Sequence, residues 1–423
     1  MIRPVVTILV CLASALLSAC REQTDSRTEI VFWAMGAEGE NVQKLIPEFE
    51  RRNPDIKVRV QMIPWNAAHE KLLTAYAGQS LPDMCQLGNT WVPEFHLLNA
   101  IDALDARVQH SPTVSRSNFF PGIWDTNVLD SSVYGIPWYV DTRVMFYRTD
   151  LLAKAGYPNG PKTWSEWFDL CDRLRRMTSN PDHYAMFFST NNEWVGPVIM
   201  GLQEGSTLLK DNDTRGNFGG AKFVEAMHAF HRFFTNGWAP IKTTQIISVF
   251  QAFQDGTFAM YITGPWNIGE FRKRLPPALQ DKWMTAPLPG PDGGIGVSLA
   301  GGSSLVMFSG SRHKAEVWRL IEYLSEPDVQ MQFYRITGDL PSRLKAWEDS
   351  SLSTNKYAAA FYQQLNHVVA TPKIPEWEQI AQTVREYAEM VSMDVMSVEA
   401  AMAALDKAVD QMLEKRRWMM NEK

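Results

Sequence analysis

From residue 28 onward the chain alternates short apolar stretches with longer amphipathic ones. Residues 29–33 (EIVFW) read as a buried strand, which Gly36 to Gly39 break. Val42, Leu45, Ile46 and Phe49 then recur at helical spacing until Asn53-Pro54 ends them. Ile56, Val58, Val60 and Met62 alternate with polar residues, the pattern of a half-buried strand that stops at Pro64. A helix is predicted over about 67–78, followed by Pro82-Asp83 and a short strand over 84–87. Strand, helix, strand, helix, strand predicts an α/β fold with a mostly parallel sheet flanked by helices. In such sheets ligands bind beyond the carboxyl ends of the strands. That rule gathers residues 33–38, Trp65-Asn66 and 88–91 around one cleft. Far along the chain, Met402, Leu405, Val409 and Met412 at three- and four-residue spacing predict a core-packed helix.

Ahead of these elements the pattern differs. Arg3 precedes an apolar run over 5–17, and Ser18-Ala19 leads into Cys20, the layout of a secretory leader. A membrane span needs about 20 apolar residues, so this run is too short to be an anchor. The sequence LLSAC resembles the lipobox of bacterial lipoproteins. The resemblance implies cleavage before Cys20, acylation of that cysteine and a lipid tether over 20–28, since several acyl chains hold a protein firmly to a bilayer. Read instead as an ordinary leader with an incidental cysteine, the segment still sends the protein out of the cytoplasm. The site of action is then the periplasm or the outer face of the cytoplasmic membrane.

Composition narrows the class. The 423 residues are 45% hydrophobic and 21% charged, which fits a globular chain of two domains. The net charge of −6 becomes −7 once Arg3 leaves with the leader, and an acidic chain argues against nucleic acid as a partner. Cys85 and Cys171 remain after the leader and the lipid site take Cys11 and Cys20; they are expected to be buried and free. The 15 tryptophans stand out, because Trp33, Trp65, Trp91, Trp138, Trp266 and Trp377 fall close to turn-forming residues where strands end. Each indole can simply fill a core. Beside Asn, Asp, Glu and Arg, however, flat aromatic faces suit a sugar ring.

Five blocks, in order, carry a more specific resemblance: "IVFWAMGAEGENVQKLIPEFERRNPDIKVRVQMIPW", "LPDMCQLGNTWVPEF", "VYGIPWYVDTRVMFYRTDLLAKAGYPNGPKTWSEW", "GTFAMYITGPWNIGEF" and "TAPLPGPDGGIGVSLAGGSSLVM". The chain resembles the extracellular solute-binding proteins of bacterial sugar ABC importers, the group similar to maltose-binding protein, over about 29–390. The resemblance implies a two-lobed fold joined by a hinge, with crossings near 139–143, 286–289 and 325–326. Lobe 1 would hold 29–140 and 287–325, and lobe 2 would hold 141–286 and 326–423. It further implies a monomer that closes on a carbohydrate, shifts toward the closed form by differential affinity, and delivers the ligand to a membrane permease.

Site residues follow from matching positions. Asp141 falls where the family places a carboxylate for sugar hydroxyls, although it equally reads as a turn residue paired with Arg143. Trp266 of "GPW" and Trp377 of "PEW" match stacking aromatics. Gly301 and Gly302 would admit close backbone approach to a ligand, or serve a tight turn. Glu38, Trp65, Asn66, Asn89 and Trp91 are candidates by their loop positions. Arg343 would donate to hydroxyls or form a surface ion pair. The acidic–basic pairs that maltose-binding protein carries after its first and third strands are replaced by Met35-Gly36-Ala37-Glu38 and Gly88-Asn89-Thr90, which points to a disaccharide or short oligosaccharide other than a maltodextrin.

Rival chemistries lack parts. No G-x-S-x-G elbow, H-E-x-x-H pair or G-x-x-x-x-G-K-[ST] loop occurs, so neither a catalytic metal nor a cofactor is expected. "DNDTRG" over 211–216 opens like a calcium loop but has Arg215 at its fifth position and Lys222 at its twelfth, so it reads as a turn. A secreted glycoside hydrolase, which needs only two carboxylates across a cleft, is the enzymatic alternative, and a non-sugar polyol is the alternative ligand.

Overall fold

The computed structural model describes residues 25–188, 194–241, 246 and 248–421. The leader and Cys20 lie outside the described residues. Two sheets organise the chain, built from β1 (Thr28–Met35), β2 (Ile56–Ile63), β3 (Met84–Gly88), β4 (Ile136–Asp141), β5 (Val144–Arg148), β6 (Tyr184–Phe187), β7 (Phe258–Thr263), β8 (Trp283–Ala286), β9 (Gly301–Met307) and β10 (Leu340–Pro341). The first sheet has the order β10-β4-β9-β3-β1-β2, and the second the order β8-β5-β7-β6. In the first, β1 pairs in parallel with β2 and β3, while β9 runs antiparallel to both β3 and β4, and β10 antiparallel to β4.

The local patterning explains the elements. Ile30, Phe32 and Ala34 of β1 are fully buried, as are Ile56 of β2 and Met84 of β3. The helix α1 (Gly36–Val42) starts directly after β1, so Gly36 to Gly39 form a helical first turn where a plain break was expected. Gly36 has φ +49°, and a Cβ on Gly39 would sit 2.5 Å from the Ala34 carbonyl oxygen, so both glycines allow the helix to fold back on the strand. The predicted helix over 67–78 is α2 (Trp65–Ala77), capped in extended backbone by Pro64. The "DNDTRG" stretch closes a two-stranded hairpin, with Asp211, Asn212 and Asp213 all at positive φ.

The chain passes from the first sheet to the second between Asp141 and Val144. The return differs from expectation. Leu288 and Leu299 pack in the second lobe's core, and the Trp164 N–H donates to the Gly290 carbonyl at 3.1 Å, so 287–299 stays with lobe 2. The last crossing also moves. The helix α3 (Pro327–Thr337) buries Val329 and Phe333 against the first sheet, with Phe333 stacked on Trp138 at 4.4 Å, and β10 extends that same sheet. The turn at Ser325-Glu326 therefore starts a helix of lobe 1; the apolar face of α3 holds it there. Beyond it, α4 (Trp377–Ser392) and α5 (Val398–Met412) complete the core of lobe 2, α5 burying Met402, Leu405 and Val409. A separate apolar cluster surrounds the crossing strands and includes Phe120, Val140, Val144, Phe146, Trp347 and Phe361. Cys85 and Cys171 are buried free thiols, and burial pushes both upward in pKa. No helix of the described residues is long and apolar enough to cross a membrane.

Candidate functional site

A cleft of about 450 Å³ opens where β1, β3 and β4 end and β9 begins, and elements of both lobes line it. From lobe 1 come Glu38 in the first turn of α1, Trp65 at the start of α2, Asn89 to Trp91 after β3, Tyr139 and Asp141 of β4, Gly301 to Ser303 of β9, and Asp339 ahead of β10. From lobe 2 come Trp194, Trp266, Thr371 and Glu378, with Arg143 on the crossing itself.

The two exposed indoles are held the same way. A Cβ on Gly36 would lie 2.8 Å from the Trp65 ring, and one on Gly264 would lie 1.9 Å from that of Trp266. Each ring thus lies close to a glycine and stays partly exposed: Trp65 is 37% exposed and Trp266 42%. Trp91 meets Trp65 edge-on at 5.7 Å, and the Trp65 indole N–H donates to Glu38 at 3.2 Å. Behind Trp91, His69 faces Glu94 at 2.6 Å, and that hydrogen bond raises the imidazole pKa.

Tyr139 centres the polar floor. Its hydroxyl accepts from Ser303 at 2.9 Å and Gln86 at 3.0 Å and donates to Glu38 at 3.3 Å. Burial pushes the phenol upward, and the Glu38 charge adds to the effect. Asp339 is half-buried, and its pKa is pushed up to about 7, first by burial and then by the charge of Glu38. Asn89 is buried; its carbonyl oxygen accepts from Ser304 at 3.1 Å, whereas its amide nitrogen has no partner. Across the cleft, the Thr90 hydroxyl donates to Glu378 of α4 and ties the lobes together. The cleft is thus lined by partly exposed indoles, several carboxylates and a guanidinium, with the unpartnered Asn89 amide nitrogen buried in its wall.

Of the expected residues, Glu38, Trp65, Asn89, Trp91, Asp141, Trp266, Gly301 and Gly302 meet in this cleft. Three do not. Asn66 is exposed on α2 outside the cleft wall. Trp377 is fully buried in the core of lobe 2, edge-on to Trp194 at 5.6 Å. Arg343 is buried, donates to the carbonyls of Thr113 and Ser325, and lines a different cavity. The glycines also have another reason to be there: a Cβ on Gly302, at φ +124°, would meet the Tyr139 carbonyl oxygen at 2.2 Å, so strand approach demands glycine. Sequence reasoning missed Tyr139, Arg143, Trp194, Asp339 and Glu378. Tyr139 was within reach, two residues before Asp141 and so on the same strand face. Glu378 was too, because Trp377, Ile380, Ala381 and Val384 form the buried stripe of α4 and leave Glu378 off it.

Residues 34–331 match the model of the bacterial extracellular solute-binding protein family. The chain belongs to that family. Its fold superposes with TM-score 0.90 on the sugar-binding protein MalE of Xanthomonas citri, at 48% identity over 94% of this chain and the whole of that one. Among curated relatives, a putative binding protein of Brucella abortus is 24% identical over 87% of this chain and 88% of its own length. The diacetylchitobiose binding protein DasA of Streptomyces coelicolor is 26% identical over 79% of this chain and 76% of its own.

Proposed function

We propose that this protein is the substrate-binding component of a sugar ABC importer, capturing a disaccharide or short oligosaccharide between its lobes and delivering it to the membrane permease. One observation carries the reading: Trp65 of lobe 1 and Trp266 of lobe 2 bring partly exposed indoles to one cleft whose remaining polar groups are mainly hydroxyl acceptors. Sugar C–H faces stack on the indoles, while Glu38, Asp141, Asp339 and Glu378 accept hydroxyl protons. The volume of about 450 Å³ falls within the usual range of small-molecule sites. The names of the X. citri and S. coelicolor relatives support the same ligand class. Closure is the functional event, since a ligand that touches both lobes stabilises the closed form by its differential affinity.

Acylation at Cys20 would tether the monomer to a membrane outside the cytoplasm, close to its permease; labelling with radioactive palmitate that vanishes in Cys20→Ser tests this. For the ligand, thermal shifts against mono-, di- and trisaccharides and polyols are decisive. The true ligand raises the melting point according to RT ln(1 + [L]/Kd) and is recovered unchanged. Turnover of a bound saccharide would support the hydrolase reading, and a panel without a single shift would remove the sugar.

A further inference from the structure

Behind the cleft floor lies a fully buried amide, Gln86 of β3, which does not itself line the cleft. The β1–β3 ladder is registered at Phe32–Met84 and Trp33–Cys85, and beyond it the Gln86 side chain takes over: its Oε1 accepts the Met35 N–H at 2.8 Å. A backbone N–H can only donate, so this bond fixes which way round the amide sits and leaves Nε2 to give two protons. They go to the Tyr139 hydroxyl at 3.0 Å and the Ser303 hydroxyl at 3.4 Å. Ser303 in turn donates to Tyr139 at 2.9 Å, so both acceptor positions of the Tyr139 oxygen are filled. Among the described residues its own proton has one acceptor left, Oε1 of Glu38 at 3.3 Å. The reverse order, with Tyr139 donating to Ser303, would strand the proton of a buried Ser303 and leave that Glu38 oxygen without its donor.

We infer that Gln86 is a positioning residue for the cleft: through Tyr139 it directs the protons of the floor one way, toward Glu38, and so sets that carboxylate as a dedicated acceptor for a ligand hydroxyl. The Trp65 indole N–H holds the other Glu38 oxygen at 3.2 Å. Each oxygen thus spends one acceptor position on the protein and keeps another, since an ionised carboxylate has about four. The ligand group seated there must donate. A methoxy or fluoro group in its place would set one acceptor against another and is rejected. The role in ligand choice rests on the reading of the cleft as a sugar site; the direction of the hydrogen bonds does not.

Neutron diffraction from crystals of the deuterated, ligand-free protein locates the protons directly. The Tyr139 deuteron is expected on the line to Glu38 and the Ser303 deuteron on the line to Tyr139; a Tyr139 deuteron aimed at Ser303 overturns the inference. Calorimetry with maltose, trehalose, sucrose and cellobiose then follows the tightest binder of the four through Gln86→Met, Tyr139→Phe and the double variant. Gln86→Met is expected to weaken binding about fivefold or more in the wild type and to do nothing further in Tyr139→Phe, because Gln86 acts through that hydroxyl. Equal losses in the two backgrounds would make Gln86 a plain core residue and overturn the positioning role. Urea midpoints of the same variants should show the same non-additivity, Gln86→Met costing less stability where the hydroxyl is already gone. If Gln86→Met does not fold, the neutron map decides alone. If none of the four sugars binds, the map and the midpoints judge the inference, while the wider saccharide screen judges the sugar reading.

Discussion

The Arg143 guanidinium lies 4.8 Å from the centre of the Trp266 ring while its Nη1 donates to the Asp141 carboxylate at 2.6 Å. One cation on the crossing segment thereby couples a carboxylate at the end of β4 to an indole of the other lobe. Hydrogen bonding fixes the carboxylate, and the ring quadrupole fixes the cation. The aromatic face of lobe 2 is therefore oriented before a ligand arrives, which limits the entropy that binding must spend.

Removing that face should weaken binding without unfolding the protein. Trp266 is 42% exposed, so Trp266→Ala is expected to leave the melting point nearly unchanged and to raise the Kd for the saccharide found in screening by about tenfold or more. Gly264→Ala should have a similar effect although Gly264 does not line the cleft, because its Cβ would lie 1.9 Å from the indole and push it away. Calorimetry on both variants checks this; wild-type affinity in Gly264→Ala would show that the ring's position is unimportant.

Gly302→Ala should damage the fold itself. The residue pairs with Val140 at φ +124°, and a methyl group there would overlap the Tyr139 carbonyl oxygen at 2.2 Å. Left-handed strain and the clash together cost about 2–4 kcal/mol, seen as a lower midpoint in urea unfolding. An unshifted midpoint would mean that β9 and β4 separate freely.

The raised pKa of Asp339 gives a pH signature. The folded value of about 7 exceeds the ordinary 3.8, so between those values the native state holds a proton that the unfolded chain has lost. Stability from this group is thus present below about pH 4 and lost as the pH rises toward 7, with a slope of at most about 1.4 kcal/mol per pH unit. Asp339→Asn should flatten that part of the profile and be more stable than wild type at pH 8, where the carboxylate faces Glu38 and Asp141. Thermal melts from pH 4 to 8 measure it, and parallel profiles for the two proteins would refute it.

How much of this could be read from the sequence depends on whether the signal was local. The strand–helix alternation of the first lobe was legible because period-two and period-3.6 patterns are written in neighbouring residues, and β1 and β2 form within two residues of expectation. Cleft residues beside turns, such as Trp65, Asn89 and Trp266, were legible for the same reason. The late crossing was not, because the turn at Ser325-Glu326 looks the same whether the following helix stays or leaves; packing of Phe333 on Trp138 decides it. Asp339 was equally hidden, since its environment comes from Glu38 and Asp141, distant in sequence.

Trp377 and Glu378 are adjacent in sequence and opposite in consequence. Trp377 is fully buried with its indole nitrogen unpartnered, so Trp377→Ala should cost about 3–5 kcal/mol of stability through the cavity it leaves, with little effect on the affinity of the protein that remains folded. Glu378 is half-buried and accepts the Thr90 hydroxyl across the cleft. Glu378→Ala removes a charge-assisted bond that exists only when the lobes meet, so the open form gains population and the Kd for the ligand rises by about fivefold or more. X-ray scattering should show a larger radius of gyration for ligand-free Glu378→Ala than for wild type, while urea midpoints separate the two variants. If Trp377→Ala were the one to lose affinity at full stability, the assignment of its indole to the core would have to be given up.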